Sequence, residues 1–154
     1  MKSIKLRRAW VGMFCMLEIL FVLAHADPIP CSVHFQKDSC WKDYQITLTA
    51  MNAMTHTPLA DPLVLEPDVF SKISPLKCES AQPIAFIAKF TPAIWEEQAQ
   101  KNYHSKAFWV APDALPTDVS EWELSVCFPR DFVGTPLPLE ATGSCVCESA
   151  DEDA

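Results

Sequence analysis

Six cysteines fall between positions 31 and 147, namely Cys31, Cys40, Cys78, Cys127, Cys145 and Cys147, and a seventh, Cys15, lies near the N-terminus. Thiols in this number ligate metals, exchange electrons or form crosslinks. Cys145 and Cys147 are the only closely spaced pair, and Glu148, Asp151, Glu152 and Asp153 surround them with negative charge that opposes thiolate formation. On an extended segment the two side chains of a Cys-x-Cys point to one face, and a ring joining them would be strained. Bridges to two different elements suit the pair better. The expectation is therefore three disulfides, with the choice among fifteen pairings open.

The remaining chemistry-bearing residues are scattered. His34, His56 and His104 form no H-x-x-x-H or H-x-H pair, so no zinc signature is present and no metal site is expected. Met51, Met54 and His56 offer soft ligands of the kind that suit Cu(I), which makes a copper or small-ligand binder the alternative reading. On a strand, however, positions 51 and 54 face opposite ways. No G-x-S-x-G turn occurs, and Gly134 and Gly143 are the only glycines beyond position 26, too few for a phosphate-cradling loop. Glu96 with Glu97, and Glu121 with Glu123, resemble the carboxylate pairs of glycoside hydrolysis, yet a solvated face explains them equally. No catalytic residue and no cofactor is expected. The chain is read as a non-enzyme, with a small hydrolase as the third reading.

Aromatic side chains give a more concrete candidate. Trp95, Tyr103, Phe108 and Trp109 lie within fifteen residues, and rings of this type bring large contact area at small entropic cost. Trp95, Tyr103 and Trp109 are the candidate binding residues. Core packing is the competing explanation.

Positioning such residues requires a fold, and the N-terminus sets its compartment. Lys2, Lys5, Arg7 and Arg8 precede an apolar run over residues 9–23 and then Ala24-His25-Ala26. This is the layout of a secretory signal peptide cleaved after Ala26. The run is short of the ~20 residues a membrane span needs, so no stable insertion is expected after cleavage. Residues 27–154 then carry eight Lys and Arg against nineteen Asp and Glu, a net charge of −11. That charge argues against nucleic acid and anionic membrane surfaces as partners.

All thirteen prolines lie in the same stretch, spread through it, and they exclude long helices nearly everywhere. Period-two alternation marks strands over 43–54, 83–90, 104–110 and 121–128, with another extended piece at 63–65 that forms a hairpin or a sheet crossing with the first. Residues 92–100 form the one expected helix, with Thr91 as N-cap and Pro92 at its first position. Residues 133–139 are Pro-broken and belong at an edge or on the surface.

These features describe an all-β, disulfide-stabilised antiparallel β-sandwich over residues 27–147, an Ig-like variant with at most one short helix, followed by a disordered acidic tail over 148–154. The expected function is that of an exported, periplasmic or secreted interaction or accessory module. Its expected partner is another envelope or secreted protein.

Overall fold

The computed structural model describes residues 27–141 together with Cys145 and Cys147. The expected signal segment and acidic tail lie outside the described residues. Eight strands are present: β1 (Pro28–Lys37), β2 (Gln45–Asn52), β3 (Leu63–Leu65), β4 (Ser71–Glu79), β5 (Pro83–Thr91), β6 (Tyr103–His104), β7 (Trp109–Val110) and β8 (Trp122–Phe128). They form two sheets. One has the order β4-β1-β8, and the other runs β3-β2-β5-β6 with β7 also paired to β5.

Alternation drives both sheets onto one core. Strand β1 turns Cys31, Val33 and Phe35 inward, β8 contributes Leu124, Val126 and Phe128, and the facing sheet supplies Ile46, Leu48, Ile84, Phe86 and Phe90. At one end Trp41 packs against Phe90 and Phe128 with ring centroids 4.9 and 4.7 Å apart, and Phe90 stacks on Tyr103 at 5.3 Å. Burial on this scale, at about 25 cal/mol per Å² of apolar surface, is the main force holding the two layers together. The sandwich-like, all-β architecture thus follows from the period-two pattern.

All pairings are antiparallel except β1 with β8, which run parallel with His34 opposite Ser125. The three expected disulfides form as Cys31–Cys78, Cys40–Cys145 and Cys127–Cys147. The first joins β1 to its neighbour β4, and the other two take Cys145 and Cys147 to different elements, as the Cys-x-Cys spacing demands. None of the three crosses between sheets as the core bridge of antibody domains does.

Two expectations need correction, and two features of the fold had no counterpart in the sequence reading. Residues 92–100 contain no α-helix: Glu96–Gln98 makes one 3-10 turn after an extended Trp95 that provides no side-chain cap. Thr91, the expected cap, is the last residue of β5 and pairs with Gln45. A second 3-10 turn, Ser39–Trp41, went unread in the sequence; the Asp38 carboxylate caps it by accepting from the Cys40 amide at 2.7 Å. The strand expected over 104–110 is two short strands separated by residues 105–108. Strands β1 and β4 were not anticipated, because Pro28, Pro30 and Pro75 and the polar run at the start of β4 mask their alternation. On β4, Pro75 and the exposed Lys72 and Lys77 blunt an edge that would otherwise invite pairing with another chain.

Lys37 fastens the end of β1. Its side chain is buried, and Nζ donates to the carbonyls of Tyr44 and Glu66 at 2.7 Å each and of Lys42 at 3.4 Å. Burial holds its pKa below the usual lysine value, against the opposing pull of Asp68, Asp43 and Glu66.

Candidate functional site

Strand β5 is the centre of the larger sheet and the floor of a groove on its outer face. Its inward residues Ile84, Phe86 and Ala88 enter the core, which leaves Ala85, Ile87 and Lys89 on the outer face. Met51 of β2 lies opposite Ala85, and His104 of β6 lies opposite Ile87. A groove of about 420 Å³ opens to solvent above Met51, Ala85 and Ile87. That volume is within the ~300–1,000 Å³ range of ligand sites.

Two loops wall the groove. On one side, the turn after β2 brings up Ala53 and His56. Asn52 builds this turn: its side-chain oxygen accepts from the amides of Met54 and Thr55, at 2.8 and 3.1 Å, and its own amide donates to the Thr57 carbonyl. On the other side, residues 105–108 leave the sheet between β6 and β7. Ser105 anchors the departure, since its hydroxyl accepts from the Phe86 amide at 3.1 Å while its amide donates to the Phe86 carbonyl. Lys106 and Val133 close the back of this wall: the Lys106 amide donates to the Asp131 carbonyl, and the Val133 amide to that of His104. Phe108 is left 64% exposed at the rim.

The charge distribution singles out this face. Nineteen acidic residues lie beyond position 26, yet among the described residues no groove-lining residue is a carboxylate, and neither are the outward positions Gln45, Thr47, Thr49, Val64 and Val110 of the same sheet. Lys89 and Lys106 are its cations.

The aromatic candidates do not assemble into one platform. Tyr103 is 1% exposed and stacks on Phe90 in the core, where burial raises its pKa. Trp109 is partly buried and packs edge-on against Phe86 at 5.1 Å. Trp95 alone stays 44% exposed, in the loop after β5. Phe108, more exposed than Trp95, belongs to the aromatic cluster of the sequence but was not among its binding candidates, because 104–110 reads as an unbroken strand.

The candidate soft ligands are divided as well. Met51 and His56 both line the groove, whereas Met54 is 76% exposed and does not. Among the described residues, Asp38, Cys40 and Cys145 bring potential metal-ligating atoms within 4.8 Å of one another, but both cysteines are consumed by their mutual disulfide and offer no thiolate. His34 on the smaller sheet lies 3.8 Å from Glu123, an exposed acid–imidazole pair on a flat sheet face. Comparison with known proteins adds no assignment. No family model, curated protein or solved structure matches the chain.

The three disulfides fit an oxidising, extracytoplasmic environment. Among the described residues, no helix is long and apolar enough to cross a membrane.

Proposed function

We propose that this chain is an exported, non-enzymatic interaction or accessory module of the periplasm or cell envelope, and that it recognises a partner protein through the outer face of its five-stranded sheet. One observation carries the reading. Among the described residues of this acidic protein, one sheet face carries no carboxylate, and on that face lies an apolar groove between two loops fastened by hydrogen bonds. Exposed Phe108 and Val110 extend the apolar surface beyond the groove, as the centre of a recognition patch requires.

A copper site would need more convergence than Met51 and His56 supply once Met54 points elsewhere. A hydrolase would need a nucleophile activated by a base, whereas the bond made by the Ser105 hydroxyl of the groove is an acceptance from the Phe86 amide.

The test is a photo-crosslinking amino acid placed at Phe108 in the producing cell, with Lys72 on the opposite sheet as the control position. A discrete adduct with an envelope or secreted protein from position 108, and none from position 72, is the expected result. Adducts of equal yield from both positions would reject this face as the recognition surface.

A further inference from the structure

The groove has a shape and a charge from which the chemistry of its occupant can be read. We infer that it receives an extended, acidic segment of the partner protein, which seats one large apolar side chain on Met51, Ala85 and Ile87 and places flanking carboxylates near Lys106 and Lys89. This rests on the proposed recognition role of the same face.

The groove has a floor and two walls and is open above. A channel bounded by the Asn52 turn and by residues 105–108 accepts a chain lying along β5. A floor of Met, Ala and Ile offers apolar contact for a single anchor, and Met supplies an adaptable surface there. Phe108 stands at the rim and covers the anchor once it is seated.

Charge favours the same occupant independently of shape. Among the described residues, carboxylates are absent from the groove lining and from the neighbouring outward strand positions, and Lys106 stands in the wall with Lys89 two residues along β5 from Ile87. The side chain of Lys106 donates to the Arg130 carbonyl, on the loop behind this wall. At physiological salt the repulsion from the remote acidic surface is screened beyond roughly 8 Å, so the local cations decide which charge is accepted.

The experiment titrates the disulfide-bonded protein with the capped peptide Ac-Glu-Glu-Leu-Glu-Glu-amide and follows backbone amide shifts by NMR. Three further probes run beside it: the Lys-flanked isomer, the Ala-centred analogue and decanoate. The expected result is saturable shifts confined to residues around the groove for the Glu-Leu peptide, with both peptide analogues weaker by at least about tenfold. Lys106→Glu should weaken the Glu-Leu peptide by about tenfold, while Lys72→Glu, an identical charge change on the other sheet, should leave it unaltered. Ile87→Lys should remove binding, with its thermal transition and disulfide content checked against the parent protein.

Equal binding of the Lys-flanked peptide, or shifts centred away from the groove, would overturn the inference. Saturation by decanoate without binding of the Glu-Leu peptide would overturn it in favour of a small amphiphile. The recognition reading fails separately: a crosslink from position 108 that survives Lys106→Glu would keep the docking face and discard the acidic occupant.

Discussion

Tyr103 illustrates how a single buried atom sets a measurable property. Its ring completes the aromatic end of the core, but among the described residues its hydroxyl has no hydrogen-bond partner. A buried hydroxyl without a partner costs roughly 1–3 kcal/mol of desolvation, so Tyr103→Phe should keep the packing and raise stability by about 1 kcal/mol at neutral pH. The alkaline behaviour has a definite sign. Burial raises the folded-state pKa above the ordinary tyrosine value of 10.0, so the unfolded chain ionises first as pH climbs. The contribution of Tyr103 is then independent of pH below that value and falls above it, until pH passes the raised folded-state value. Stability measured by urea unfolding should therefore fall less steeply above pH ~10 in Tyr103→Phe than in the parent. Parallel alkaline profiles, or a variant less stable at neutral pH, would show that the hydroxyl is solvated or partnered.

At the scale of elements, Lys37 joins pieces of chain that no ladder joins. It ends β1 in one sheet, yet its ammonium is held by carbonyls just before β2 and just after β3 in the other. Lys37→Met keeps most of the apolar stem and removes all three bonds. Hydrogen bonds from a charged donor are worth about 1.5–3 kcal/mol, and the abandoned carbonyls are partly buried, so the variant should lose about 3 kcal/mol in denaturant unfolding. A loss under about 1 kcal/mol would mean that water replaces the ammonium without penalty. The lowered pKa of Lys37 acts in the direction opposite to Tyr103. Its folded-state value lies below 10.5, so between the two values the native state sheds its proton first, and this group adds stability as pH rises through that window.

For the whole molecule, covalent closure and burial share the work. The bridges Cys31–Cys78, Cys40–Cys145 and Cys127–Cys147 span 47, 105 and 20 residues. Loop-closure entropy assigns them about 4, 5 and 3 kcal/mol, and the longest ties the C-terminal Cys145 to the 3-10 turn that follows β1. Replacing Cys40 and Cys145 together by serine should therefore cost more than replacing Cys127 and Cys147. Full reduction should lower the thermal midpoint by more than about 10 °C, as calorimetry with and without reductant would show. An unchanged midpoint, or the reverse order of the two double variants, would remove chain entropy as the source of this stability.

The architecture was legible wherever one strand faces water and the other side faces the core, because alternation is a local pattern that survives in sequence. The strands read over 43–54, 83–90 and 121–128 declared themselves in this way, and the even number of cysteines beyond position 26 announced three bridges. Strands β1 and β4 did not declare themselves, since proline and polar residues in them are tolerated only by virtue of their partners. The groove was illegible for a related reason. Its floor comes from β2 and β5, and its wall from a detour that exists because the Ser105 hydroxyl meets the Phe86 amide nineteen residues away. By itself the sequence determined the all-β class and the half-wet strands, since both depend on neighbours along the chain. Only the tertiary structure decided which cysteines meet, which rings are buried and where the acidic surface is interrupted, since each depends on residues brought together by packing across the sheets.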